Sequence, residues 1–283
     1  MKSIRTSPLA LLLIAFCAIT AVPAHAQITE DFSSYTVGDN AEFLGTIDTD
    51  WLSTWRSAGN NATGSGIIAN TSPLNSGGNY LSGTVNTNAG TSITSATLGR
   101  AYNADTISSV GTSAYTMSFD FRADTATATE RYDIFDSKVR ASTSSTSATT
   151  WRVAAYDGKW YASDGSSSTL TDTGLAFAAG TTYSFDITQD PTNLLWGLTV
   201  TDGTTTESIA DLATRTSTWG TGGDTTGGRW ITFAASEFGT ALGTTDALFS
   251  VDSIAIAAIP EPQAIALIFG WLALLPVMLR RRK

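Results

Sequence analysis

The densest group of ionisable side chains in the sequence is Glu130-Arg131-Tyr132-Asp133-Ile134-Phe135-Asp136. Three carboxylates so close raise the question of acid–base hydrolysis, in which a retaining pair of carboxyls stands about 5–5.5 Å apart across a glycosidic bond. On a strand, Glu130 and Asp136 share one face and Asp133 points to the other. Residues six apart on a strand are separated by roughly 20 Å. The spacing therefore does not make a hydrolytic pair, and the expectation is a solvated strand face with no catalytic residue.

Two tryptophans, Trp51 and Trp55 in Asp50-Trp51-Leu52-Ser53-Thr54-Trp55-Arg56, are candidates for stacking on sugar rings, as are Trp160, Tyr161, Trp219 and Trp230. Aromatic faces suit that task, but large aromatics are more often packed in a core. Asp31 with Asp252, or Asp48 with Asp50, are candidate oxygen ligands for a structural calcium ion; no contiguous calcium loop with the full acidic spacing occurs. No other cofactor is expected. The single cysteine, Cys17, and the single histidine, His25, both precede Gln27. The rest of the chain therefore has no thiol nucleophile, no disulfide, no Ser-His-Asp triad and no histidine-ligated zinc.

The elements that must position these residues read as strands and turns. Tyr115, Met117, Phe119 and Phe121 alternate with Thr116, Ser118, Asp120 and Arg122, the pattern of a half-buried strand. Tyr183, Phe185 and Ile187 repeat it, and Leu194, Trp196, Leu198 and Val200 follow after the turn Asp190-Pro191-Thr192-Asn193. Phe249, Val251, Ser253 and Ala255 alternate with Ser250, Asp252, Ile254 and Ile256, so the end of that strand is apolar on both faces, as in the centre of a sheet. Asp157-Gly158 between Trp151–Tyr156 and Lys159–Ser163 predicts a two-residue hairpin of type I′. Asp164-Gly165 and Asp202-Gly203 mark further turns, Ser142 to Thr150 a Ser/Thr-rich loop, and Gly220 to Gly228 a Gly-rich loop. Frequent threonines are aperiodic, unlike the regular array that ice binding requires. Many short strands separated by turns predict an all-β antiparallel sandwich or jelly roll.

Both ends differ from this middle. Lys2 and Arg5 precede an apolar run, Leu9 to Ala18, and Ala24-His25-Ala26 sets small residues before Gln27, the pattern of a signal peptide over residues 1–26. Residues 263–279 carry no charge, enough for one short transmembrane helix. Arg280, Arg281, Arg282 and Lys283 then act as stop charges on the cytoplasmic side of the inner membrane. Pro260 and Pro262 keep the helix from extending upstream and hold Glu261 in an extended, accessible peptide. Without the end segments, ten Lys and Arg face 24 acidic residues, a net charge of −14 against −9 for the whole chain. Such a domain repels nucleic acid.

Two resemblances follow from these residues. Pro260-Glu261-Pro262, the apolar helix and the Arg-rich end, in that order within residues 259–283, resemble the PEP-CTERM sorting signal of exported bacterial proteins, a segment also found in some proteins named as ice-binding. That resemblance implies an exosortase-type processing enzyme as partner, cleavage near the triplet, and a Gram-negative host that makes extracellular polysaccharide. Gly180 to Gly203, in which a strand of alternating aromatics leads through a polar turn to a strand with a Trp and a terminal Asp-Gly, looks like the paired strands of concanavalin A-like and laminin-G-like sandwiches. Glu30-Asp31-Phe32 and Leu248-Phe249-Ser250-Val251-Asp252 resemble the first and last strands of such folds, which lie side by side. Together these give one β-sandwich domain over residues 27–258, exported and membrane-tethered before processing. Its expected role is a non-enzymatic envelope or matrix component that binds polysaccharide. A carbohydrate-active enzyme with paired carboxylates and a purely structural matrix protein stay open as alternatives.

Overall fold

The computed structural model describes residues 27–60, 62–70, 74, 78–87, 93–104, 114–126, 130–138, 149–166, 168–215, 228–238 and 247–259. The signal segment, Pro260-Glu261-Pro262, the apolar tail, Trp219 and most of the two predicted loops lie outside them. Fifteen strands are formed: β1 Gln27–Glu30, β2 Arg56–Asn60, β3 Ala62–Ala69, β4 Tyr80–Thr87, β5 Ile93–Asn103, β6 Tyr115–Ala123, β7 Glu130–Ser137, β8 Thr149–Tyr156, β9 Lys159–Ser163, β10 Leu170–Ala176, β11 Thr182–Asp190, β12 Leu195–Thr201, β13 Thr206–Ala213, β14 Gly228–Phe238 and β15 Ala247–Ala258. Among the described residues no helix is long and apolar enough to cross a membrane.

The strands make two sheets in which every pairing is antiparallel. One has eight strands, in the order β13-β12-β11-β6-β15-β4-β3 with β1 also on β15; the other has seven, in the order β10-β9-β8-β7-β14-β5-β2. All fifteen fall in one compact unit, Gln27–Ala258. The first described strand pairs with the last, Gln27 opposite Ala257 and Glu30 opposite Ile254, as expected of the chain ends. β15 lies centrally, with β6 along one side and β4 and β1 sharing the other.

Alternation puts one side of each strand into a single core. β6 buries Tyr115, Met117, Phe119 and Phe121, and β11 buries Tyr183, Phe185 and Ile187. Phe119 stacks on Phe185 at 5.0 Å and meets Phe233 of the other sheet edge-on at 5.5 Å. Trp160 is enclosed edge-on by Phe121, Phe177, Tyr183 and Phe185 at 4.9–5.9 Å. Edge-to-face pairs of this kind suit the ring quadrupoles and add to the area they bury.

The apolar residues on both faces of β15 have a local cause. Ser253 takes φ 56° and the pairing with β6 shifts between Asp252 and Ala255. This bulge moves the core set from Phe249 and Val251 to Ile254 and Ile256, all buried. The Asp157-Gly158 hairpin forms as expected, with φ 49° and 71° at its two central residues, the positive pair that type I′ requires. Leu194, expected to begin the face of β12, instead takes φ 57° before the strand, and Trp196, Leu198 and Val200 carry that face.

Candidate functional site

The carboxylates of β7 divide as the alternation requires, but their surroundings overturn the expected solvated face. Glu130 and Asp136 point inward and are buried, and Asp136 is fully enclosed. Arg229 Nε donates to Asp136 Oδ2 at 2.9 Å, and its Nη2 contacts both Asp136 and Thr150. Tyr102 donates to Asp136 Oδ1 at 3.0 Å. The Tyr115 hydroxyl lies 3.2 Å from that of Tyr102 and donates to Gln189 Oε1 at 3.0 Å. The chain of polar contacts thus runs from β5, β7, β8 and β14 of one sheet to β6 and β11 of the other. Burial raises the pKa of Tyr102 and Tyr115, and the Asp136 charge adds to it, so both hydroxyls stay neutral. Burial disfavours the Arg229 cation, but Asp136 outweighs it and raises its pKa. The cation and anion face each other within one sheet, and the Tyr102–Tyr115 contact carries the cluster across to the other as a clamp.

A second buried pair, Arg100 with Glu30, fixes the segment between β1 and β2. Arg100 donates to the carbonyls of Ser53 at 3.0 Å and Thr46 at 2.9 Å, and Tyr35 donates to Glu30 at 2.7 Å. The Arg100 guanidinium lies 4.3 Å from the ring centre of Trp51. This corrects the reading of Trp51 and Trp55 as sugar-stacking residues. Trp51 is 4% exposed and donates from Nε1 to the Thr29 carbonyl; Trp55 is 0% exposed and packs on Phe32 and Phe233. The segment folds back over β5, so both indoles are core. Trp160 is core as well.

The other two described candidates, Tyr161 and Trp230, point the opposite way, onto the outer face of the seven-stranded sheet. There the register aligns residues from six strands. One row across the sheet reads Tyr161, Ala154, Asp133, Ala234, Thr97 and Ala58. The next row toward one end reads Arg152, Phe135, Thr232, Gly99 and Arg56. On the other side stand Arg131 and Ser236, with Tyr156 beside Arg131. From β8 to β2 this row consists of short side chains, a shallow trough of roughly 19 Å at the usual strand spacing, and Tyr161 closes its β9 end. Larger side chains, Arg152, Phe135, Arg131 and Tyr156, stand beside it at β7 and β8.

The edges carry aromatic rings and charges in contact. Tyr156 and Tyr161 stack at 4.4 Å and 17°. The Arg131 guanidinium lies 4.9 Å from the Tyr156 ring centre. Arg131 Nε and Arg152 Nε both donate to Asp133 Oδ1, at 3.0 and 2.7 Å. Asp133 is thus held between two cations at the trough floor. Among the described residues, three buried donors on this face have no hydrogen-bond partner: Arg131 Nη2, Thr232 Oγ1 and Trp230 Nε1. Thr232 is 2% and Trp230 4% exposed. The Thr232 oxygen hangs over Gly99, where a Cβ would stand only 2.9 Å from it, so the glycine leaves that space clear. An orphaned donor in a buried position costs about 1–3 kcal/mol unless a ligand or water meets it.

The register of β1 on β15 brings the two expected calcium ligands to neighbouring positions, with Glu30 opposite Ile254. Asp31 is exposed and its Oδ1 accepts from the Ser33 backbone N–H and hydroxyl; Asp252 is buried and its Oδ1 accepts from Ser253 N–H. Among the described residues no three acidic or other ligating side chains converge. A calcium ion takes six to eight oxygens, more than the four carboxylate oxygens of this pair.

The sequence had marked Tyr161 and Trp230 but missed Arg131, Arg152, Phe135, Tyr156 and Thr232 as neighbours. One signal was present: Ala154-Ala155 and Ala234-Ala235 place a small residue on each face of a strand, and the outward members line the trough.

No family model matches the chain, and no curated protein matches it. Among solved structures, it is similar to lectin II from Ulex europaeus at 9% identity, covering 82% of this chain and 99% of the lectin, with a TM-score of 0.46. Peanut lectin matches at 11% identity over 83% of this chain and 100% of its own, TM-score 0.44. A protein of unknown function from Shewanella oneidensis matches at 15% identity over 91% and 96%, TM-score 0.40.

Proposed function

We propose that the protein is an exported, non-enzymatic glycan-binding component of the cell envelope or extracellular matrix. The observation that carries this reading is the outer face of the seven-stranded sheet. A row of short side chains has the stacked tyrosines at its β8–β9 end and Phe135 beside it, and buried donors on this face lack partners among the described residues. Sugar chains present apolar ring faces to aromatics and hydroxyls to such donors. Within the trough the arrangement favours binding over hydrolysis. Asp133 and Asp172, the carboxylates aligned across β7 to β10, stand three strand spacings apart, roughly 14 Å. That exceeds the separation of about 5–9.5 Å used by retaining and inverting glycosidases.

Delivery belongs to the same reading. The signal over residues 1–26 exports the chain, with cleavage between Ala26 and Gln27. Residues 263–279 tether it in the inner membrane, and an exosortase-type enzyme reads Pro260-Glu261-Pro262. Mass spectrometry of the protein isolated from its host tests this. A mature form that retains Arg280 to Lys283 rules out processing.

The binding reading is tested on a glycan array with the full chain in mild detergent. Retention on at least one polysaccharide is expected, and it should weaken at least tenfold, about 1.4 kcal/mol, on Tyr161→Ala. Absence of retention on every polymer would sink the reading.

A further inference from the structure

Among the described residues four large apolar side chains are exposed, Val37, Phe43, Ile47 and Ile67, and the aromatic one, Phe43, is the most exposed at 63%. Its backbone is more unusual still. Phe43 N–H donates to the Trp55 carbonyl at 2.9 Å, and Trp55 N–H donates to the Leu44 carbonyl at 2.9 Å, so two residues face one. That is a β-bulge, and its first residue takes φ 73°. Glycine normally holds this place, because a Cβ there crowds the neighbouring carbonyl. A bulky side chain in the left-handed region is a genuine outlier, and such strain collects at binding and catalytic sites.

The ring is also oriented. Trp55 immediately precedes β2, and Arg56, the first residue of β2, sets its guanidinium 4.5 Å from the Phe43 ring centre. Arg56 belongs to the outer face of the seven-stranded sheet, in the row that runs from Arg152 through Phe135, Thr232 and Gly99. Phe43 therefore stands at the β2 end of the trough, as the Tyr156–Tyr161 stack stands at its β8–β9 end. Five strand spacings separate β9 from β2, roughly 24 Å. Between the two ends the row holds Ala154, Asp133, Ala234, Thr97 and Ala58, none longer than aspartate. A cation over one face of an exposed ring leaves the other face for the apolar side of a sugar.

Resting on the proposed glycan binding, we propose that Phe43 is a second aromatic platform for the same ligand, and that the strip between the platforms takes an internal stretch of a linear polysaccharide. A chain that reaches both ends makes its second contact at the effective concentration set by the first, so two weak stacks combine into one firm attachment. A short oligosaccharide fills one end only. The ligand class is thus an extended polymer, read along its length, and not a single sugar or a chain end.

The probes are the polysaccharides of the glycan array and their partial acid hydrolysates, separated by size. The full chain in mild detergent is run by affinity electrophoresis through a retained polymer, with the size fractions as competitors. Fragments too short to span the strip are expected to compete weakly, and potency should rise at least tenfold over a narrow range of length before it levels off. Phe43→Gly should remove that rise and weaken retention on the polymer at least tenfold, while Phe43→Trp keeps both. The melting temperature of Phe43→Gly should be unchanged or higher, because glycine relieves the bulge. Potency independent of fragment length overturns the second platform and leaves glycan binding at the tyrosines standing. Retention of Phe43→Gly within a factor of two of the unsubstituted chain does the same. A melting temperature several degrees lower in Phe43→Gly overturns it as well, since the ring then belongs to the fold. Absence of retention on every polymer removes the parent reading and this inference with it.

Discussion

The two outer faces of the sandwich are built by the same pleat and have opposite characters. On the eight-stranded sheet the outward row of β11 is Thr182, Ser184, Asp186 and Thr188, facing Arg122, Asp120, Ser118 and Thr116 of β6. Short hydroxyl and carboxylate side chains stand half or fully exposed there, and Ser184 donates to Asp120 within the layer. On the seven-stranded sheet the outward positions add alanine, glycine, arginine and aromatic residues to a few hydroxyls and the carboxylates of Asp133 and Asp172. Many are buried although they point away from the core: Ala154 is 0% and Thr97 4% exposed. One face is finished when water covers it. The other holds buried donors without a partner among the described residues. An outward direction in a strand therefore does not imply a solvated side chain, and the exception marks the candidate site.

Four experiments bear on this contrast. The largest effect is expected from the clamp on which both faces depend. Replacing Asp136 with Ala removes the carboxylate that faces the buried Arg229 cation, and urea unfolding should show a loss of about 3–5 kcal/mol. A loss below about 1 kcal/mol, the range of an exposed pair, would mean that the Arg229–Asp136 contact is not the buried ion pair described. Next is a matched pair of substitutions, Ala234→Trp in the trough and Thr188→Trp on the other sheet. The first should abolish polysaccharide retention by filling the floor, and the second should leave it within a factor of two (about 0.4 kcal/mol). Equal behaviour would erase the distinction between the faces.

Titration separates the interior from the exposed turns of the eight-stranded sheet. Tyr102 and Tyr115 have raised pKa values in the fold, chiefly from burial and then from Asp136. Their contribution is fully present below the unfolded value of about 10 and is lost as pH rises beyond it, because the unfolded chain then releases protons that the fold retains. Asp190 and Asp202 shift the other way. Asn193 hydrogen bonds lower the first, and the Thr205 and Thr204 backbone N–H groups lower the second. Their contribution is present above the usual Asp value and lost as pH falls through the lowered one. Melting temperature against pH should therefore fall steeply above pH 10 and gently below pH 4. A flat alkaline limb would contradict the burial of the two tyrosines. The smallest effect is that of calcium: millimolar additions should move the melting temperature by less than about 1 °C. A rise of several degrees would require a ligand set beyond Asp31 and Asp252.

Much of the fold is legible in the sequence. The alternation of Tyr115 to Arg122 and of Tyr183 to Ile187, and the Asp157-Gly158 turn, each rest on neighbours a few residues apart, and each appears in the structure. The candidate site was legible only in pieces. Tyr161 and Trp230 were visible as aromatics, but so were Trp51 and Trp55, which the structure buries. Nothing local separates the two cases, because an aromatic in an alternating strand fits either side of a sheet. The apolar residues on both faces at the end of β15 signalled close packing without naming a partner.

By itself the sequence determined the strand periodicity, the turns, the acidity, and the absence of thiol and imidazole from residues 27–283. Those properties depend on composition and on contacts between near neighbours. Only the tertiary structure decided that Asp136 lies inside while Asp133 lies outside, and that Arg131 meets Tyr156, Arg152 and Asp133 along one edge. A two-residue repeat is symmetric between the faces of a sheet. Which face becomes core, and which side chains form a row across it, is fixed by pairing between strands distant in the chain.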